Sequence, residues 1–109
     1  MIDTQSFSRT EETLDLQGSF ATGVMRSFFS PFQVTKSSSF ITVYYLSNLS
    51  NIQVEIVDEY GQPVYYNLVN PVSGEQLLID ISNRDTGIYT IYFTNNAGNC
   101  IYGEFEILD

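Results

Sequence analysis

Asp58, Glu59, Asp80 and Asp85 stand where runs of alternating β-formers give way to turn residues, and on them rests any acid–base chemistry this chain could do. Two loop carboxylates flanking a glycosidic bond can hydrolyse it, provided burial keeps one of them protonated. The turns around these acids are rich in Ser, Asn and Gly, which keeps carboxylates solvated and ionised. The chain has no histidine. That removes the commonest general base, the usual zinc nitrogen ligand and every Ser-His or Cys-His nucleophile. Loop carboxylates also suit calcium, but no D-x-D-x-D-G loop is present, and the acids read as turn caps. We expect no catalytic, cofactor-binding or metal-binding residue, and no cofactor.

Cys100 is the single cysteine, so an intrachain disulfide is excluded. With no Lys, Arg or His beside it in sequence to lower its pKa, it reads as a small, partly buried apolar side chain. Asn48, Leu49 and Ser50 match the N-glycosylation acceptor, a three-residue signal that recurs by chance. The tyrosines are more informative. Tyr44, Tyr45, Tyr65, Tyr66, Tyr92 and Tyr102 include adjacent pairs, and successive strand residues point to opposite faces, so one ring of each pair faces outward. Tyr44, Tyr65, Tyr66 and Tyr102 form the candidate binding surface: such rings stack on sugars or anchor a protein interface, and they also cover sheet faces. The absence of Trp removes the largest stacking surface a carbohydrate could use.

Thirteen acidic residues stand against four basic ones, Arg9, Arg26, Lys36 and Arg84, for a net charge of −9. Nucleic-acid binding needs clustered Lys and Arg, and the acidic balance repels both a duplex and an anionic membrane. No apolar run approaches the ~20 residues of a membrane-spanning helix. The partner expected is therefore a protein or a glycan, with no nucleic acid and no membrane insertion.

These residues are positioned by short strands. Residues 1–12 are polar and aperiodic and read as a flexible arm, with one domain over 13–109. "TLDLQG" alternates Leu14 and Leu16 with polar neighbours and ends at Gly18. Ser19 to Ser30 shows no clear period. From Pro31 onward, alternating segments recur every ~10 to 13 residues, the spacing of a sandwich or barrel. They are "FQVTK", "FITVYYL", "NIQVEIVD", "VYYNLV", "QLLIDI", "GIYTIYFTN" and "CIYGEFEIL", separated by serines, Gly61, Pro71 with Gly74, "SNRD" and Gly98. The last is the cleanest: Ile101, Gly103, Phe105 and Ile107 face one way, Tyr102, Glu104 and Glu106 the other. No segment carries apolar residues at helical spacing for three turns. Hairpin-linked strands with one polar face imply antiparallel sheets, and two of them must face each other to bury their apolar sides. The expectation is an all-β, immunoglobulin-like two-sheet sandwich of seven to eight strands with little or no helix.

"RDTGIYTIYF" sharpens it. In immunoglobulin-like sandwiches a Tyr near the start of the sixth strand turns its hydroxyl onto the backbone a few residues upstream. Asp85, Gly87 and Tyr89 resemble that structural corner: Gly87 permits the turn, Tyr89 buries its ring, and Asp85 can accept from nearby amides. The paired cysteines and core Trp of antibody domains are absent.

From about Leu14 to Leu108 the chain resembles a small exported β-sandwich family of gut Bacteroides-type bacteria, domain of unknown function 3244. The matching segments are "NIQVEIVDEYGQPVYY", "GEQLLIDIS", "TGIYTIYF" and "IYGEFEIL", with "LDLQG" as the family's short first strand. The resemblance implies export to the periplasm, cell surface or medium through a leader peptide, and no activity. Met1 to Arg9 lacks the basic-then-apolar order of a leader, so the numbering is expected to begin after its removal. The strand "GIYTIYF" is also similar to the C-terminal sorting domains of a secretion system in the same phylum, but those usually end in a basic strand, whereas this chain ends "GEFEILD". The functional expectation is a non-catalytic protein-interaction or adhesion module, with a glycan-binding module as the alternative.

Overall fold

A strand that buries alternate residues must find an apolar layer on one side and water on the other, and the chain solves this with two sheets. The computed structural model describes residues 11–20 and 30–108; of the arm expected over 1–12, residues 1–10 lie outside them, as does most of the aperiodic stretch after Ser19. The strands are β1 (Glu12–Thr13), β2 (Gln17–Gly18), β3 (Phe32–Lys36), β4 (Phe40–Tyr45), β5 (Ile52–Asp58), β6 (Pro63–Val69), β7 (Gln76–Asp80), β8 (Gly87–Thr94) and β9 (Cys100–Ile107). No helix occurs among the described residues. A four-stranded sheet has the order β1-β3-β4-β7 and a five-stranded sheet the order β2-β9-β8-β5-β6, with every pairing antiparallel.

The core is the space between the sheets. Phe32, Val34, Ile41, Val43 and Ile79 from the smaller sheet meet Ile52, Val54, Ile56, Ile91, Phe93 and Ile101 from the larger, all buried. Phe32 and Phe93 stack across the gap with ring centroids 4.2 Å apart and planes 16° from parallel. Each such side chain contributes about 1.5–3 kcal/mol by leaving water, which is why the alternation in β5, β8 and β9 dictates which face turns inward.

"TLDLQG" is split between the sheets rather than lying in one strand. Glu12 and Thr13 pair with Lys36 and Thr35, and Leu14 N–H still donates to the Val34 carbonyl at 2.8 Å. Three residues later Gln17 and then Gly18 pair with Tyr102 and Ile101 of the other sheet. Leu14 is buried and Leu16 packs against the core, so one segment covers the edges of both β3 and β9. The crossing needs Gly103: a Cβ there would stand 2.8 Å from Leu16 Cδ2 and 3.1 Å from the Asp15 carbonyl oxygen.

On the opposite side the edges are β6 and β7. Pro63 opens β6 beside a register shift between Ile56 and Val57; proline lacks a ladder donor and is tolerated at an edge or a bulge. Arg84 Nη2 donates to the Val64 carbonyl at 3.0 Å, which occupies an acceptor that would otherwise be open to another strand. Among the described residues no helix is long and apolar enough to cross a membrane.

Candidate functional site

Register decides which tyrosines share a surface. Tyr66 of β6 lies opposite Glu55 of β5, Glu55 opposite Tyr92 of β8, Tyr92 opposite Tyr102 of β9, and Tyr102 opposite Gln17 of β2. A single row therefore crosses the whole outer face of the five-stranded sheet. With strands ~4.8 Å apart, Tyr66 and Tyr102 stand roughly 14 Å apart along it. Tyr92 and Tyr102 are in ring contact, with centroids 6.0 Å apart and planes at 34°. Tyr66 is 57% exposed, Tyr102 40% and Leu68, two residues beyond Tyr66 on β6, 54%; Glu55 separates the Tyr66–Leu68 patch from the Tyr92–Tyr102 pair, so the face is mixed aromatic and acidic. The neighbouring rows add Gln53 and Thr94 on one side and Thr90, Glu104, Ile88 and Glu106 on the other. Beside the row, where β2 begins against β9, a depression of about 360 Å³ is bordered by Asp15, Gln17, Tyr102, Gly103 and Glu104.

The other expected tyrosines lie elsewhere. Tyr44 sits half-buried on the outer face of the four-stranded sheet, between Gln33 and Gln76 in register. Tyr65 lies opposite Ile56 and packs against the core, its hydroxyl accepting from Asn67 Nδ2 at 3.1 Å. Tyr45 is buried, and burial pushes its hydroxyl above the ordinary tyrosine pKa, helped by Tyr65 and Glu75. Sequence reasoning left Tyr92 out of the candidate surface and gave Glu55 no role there. Tyr92 was findable by parity, since Ile91 and Phe93 flank it; its apposition to Glu55 and Tyr102 depends on pairing, which parity does not contain.

The corner at the start of β8 is built as a backbone contact. The Tyr89 hydroxyl donates to the Asp85 carbonyl at 2.7 Å, so Asp85 contributes its main chain to this bond and not its carboxylate. Gly87 has φ 150°, a conformation side chains resist, and a Cβ there would make only ordinary contacts, the nearest with Glu59 Oε2 at 3.5 Å and another with Tyr89 Cε1 at 4.0 Å. Dihedral freedom, not space, is what glycine supplies. Tyr89 is 5% exposed and stacks on Phe105 at 5.6 Å; desolvation raises its pKa, with the Asp85 charge adding to the shift.

The acids are turn formers. Asp58 Oδ1 accepts from the Tyr60 and Gln62 amides, both at 2.9 Å, which closes the β5–β6 hairpin. Asp80 Oδ1 accepts from the Ser82 hydroxyl at 2.7 Å and the Ser82 amide at 2.8 Å, and these bonds lower its pKa. Asp58, Glu59 and Asp85 rim an open depression of about 250 Å³ with Tyr60 and Thr86; Glu59 and Asp85 are exposed there. The enclosed void under Arg84, Tyr65 and Tyr89 measures about 10 Å³, no larger than one water needs. Among the described residues no three Cys, Asp or Glu side chains are grouped to hold a metal ion. Cys100 is half-buried at the start of β9, with the Thr94 hydroxyl 3.8 Å from its sulfur.

Two facing antiparallel sheets joined by a tyrosine corner define an immunoglobulin-like β-sandwich. The crystal structure of a DUF3244 family protein with an immunoglobulin-like β-sandwich fold from Bacteroides vulgatus ATCC 8482 superposes with a TM-score of 0.74 at 21% identity, covering 90% of this chain and 99% of that one. The family model described as Domain of unknown function (DUF3244) matches residues 13–107, and the chain belongs to that family. No curated protein matches it.

Proposed function

We propose that this protein is a non-catalytic binding module, a protein-interaction or adhesion domain working outside the cytoplasm, in the periplasm, at the cell surface or in the medium. Its working surface is the outer face of the five-stranded sheet. The observation that carries this reading is the row Tyr66, Glu55, Tyr92, Tyr102, which sets three aromatic side chains across adjacent strands of one face. Tyrosine suits an interface because its ring gives rigid contact area and its hydroxyl a hydrogen bond. A non-catalytic role is supported by the acids: Asp58 and Asp80 accept from donors of their own turns, and Glu59 and Asp85 are exposed on an open rim, none of them set in the buried pocket that acid catalysis by a carboxyl requires. Export is supported by the likeness to small exported sandwich proteins and is tested by fractionating the cells that make the protein; recovery only from the cytoplasm rejects it.

The interface reading is tested by placing a photo-crosslinking amino acid at Tyr66, or at Leu78 on the outer face of the four-stranded sheet, in those cells. A discrete protein adduct from position 66 alone is expected; adducts from 78 alone, or from neither, reject it. A glycan-binding module is the second reading, favoured by the contact between Tyr92 and Tyr102 with the Gln17 amide beside it. Reproducible glycan-array signals lost in Tyr102→Ala select it over the first.

A further inference from the structure

The chemistry of that face narrows the partner. Glu55 lies between Tyr66 and Tyr92 in register, Glu104 and Glu106 follow Tyr102 along the outer side of β9, and Asp15 borders the depression that Tyr102 and Glu104 share. The described cations lie elsewhere: Lys36 is in the four-stranded sheet, and Arg84 is in the loop after β7, donating to Val64. Aromatic faces and carboxylates both attract positive charge, and a low-lying groove that combines them holds an ammonium or guanidinium better than either alone. An anionic or purely apolar partner would instead leave these carboxylates facing like charge or stripped of water without compensation.

Resting on the binding-module reading, we infer that the partner is an extended protein segment bearing Lys or Arg. One cationic side chain enters the depression where β2 begins, with its stem on the Tyr102 ring and its head between Asp15 and Glu104. The residues that follow it cross the row toward Tyr66. The net charge of −9 attracts any polycation, so the aromatic contribution is what separates this site from a diffuse field.

The test is calorimetric and NMR titration of the intact protein with an acetylated hexapeptide of alternating Lys and Thr at ~0.15 M salt, where long-range attraction is screened beyond about 8 Å. Expected are amide shifts confined to the five-stranded sheet, strongest in β2 and β9 and extending through β8 and β5 to β6, and affinity reduced roughly three- to tenfold by Tyr102→Ala, which changes no charge. Tyr102→Phe retains binding. Glu104→Gln weakens it more than Glu75→Gln, a change of equal charge in the loop before β7. No binding at this salt, or equal losses from Glu104→Gln and Glu75→Gln with none from Tyr102→Ala, overturns the inference. A partner cross-linked at position 66 together with a silent peptide sinks only the cationic specificity; absence of any adduct sinks the face itself.

Discussion

Strands β8 and β9 carry two aromatic cross-strand pairs on opposite faces of the same ladder, and their difference separates structure from surface. Tyr89 and Phe105 pair on the inner face, with centroids 5.6 Å apart and planes at 13°. Tyr92 and Tyr102 pair on the outer face at 6.0 Å and 34°. Both have the same backbone support. The inner pair lies under the second sheet and the Tyr89 hydroxyl is committed to Asp85, whereas Tyr102 is 40% exposed on the outer face. An odd number of residues along a strand is thus enough to turn one tyrosine into a corner post and another into a contact surface.

The largest effect that could break this contrast is Tyr89→Ala. Removing a buried ring with its stack on Phe105 and its bond to Asp85 should cost about 3–5 kcal/mol, as for other large-to-Ala core changes, read as a fall in the urea midpoint; a loss near that of an outer-face substitution would erase the distinction. Gly103→Ala comes next, on the inner face of the same strand as Tyr102. The added methyl must displace Leu16 and press on the Asp15 carbonyl, and overpacking of this sort costs roughly 1–3 kcal/mol. Combining it with Leu16→Ala should recover little beyond the relieved clash, because Leu16 itself packs on the core.

Tyr89→Phe isolates the hydroxyl. It keeps the ring and leaves the Asp85 carbonyl without its partner, for about 0.5–1.5 kcal/mol, while Asp85→Ala, which keeps that carbonyl, should stay within about 0.5 kcal/mol. The same variant sharpens the pH profile. Tyr45 and Tyr89 have native pKa values above the ordinary tyrosine value of ~10, so their contribution is fully present below that pH. It is lost as pH rises through the raised native values, because the unfolded chain ionises first. The urea midpoint should fall in strong alkali, and fall less steeply in Tyr89→Phe; an unchanged slope assigns the alkaline loss to other groups. The smallest change belongs to the outer pair. Tyr92→Ala and Tyr102→Ala each forfeit one exposed cross-strand contact, worth about 0.2–1 kcal/mol, so the protein should remain folded with near-native thermal unfolding. A collapse of stability in either would make the outer row structural.

The sequence shows the parity of β9 in full: Ile101, Gly103, Phe105 and Ile107 are the buried set, and Tyr102, Glu104 and Glu106 the exposed one. At the start of β8 the sequence places Gly87 two residues before Tyr89, and in the structure the Tyr89 hydroxyl donates to the Asp85 carbonyl. Other features were not legible in the sequence. "TLDLQG" alternates like a single strand, yet serves two sheets, since Leu14 and Leu16 reach the same core from a chain that crosses its open side. "VYY" offers two rings, and the bulge at Val57 together with pairing to Ile56 decides that Tyr65 packs inward while Tyr66 stays in water.

Taken by itself, the order of residues determined an all-β sandwich, the faces its strands bury and the lack of imidazole chemistry, because these follow from period-two burial, turn residues and composition, which are local or additive. The tertiary structure alone decided that Tyr66, Glu55, Tyr92 and Tyr102 form one row, and that the first segment closes both sheets over Gly103. Those are matters of register between strands distant in sequence, set by how two apolar layers interlock, and no local pattern encodes that choice.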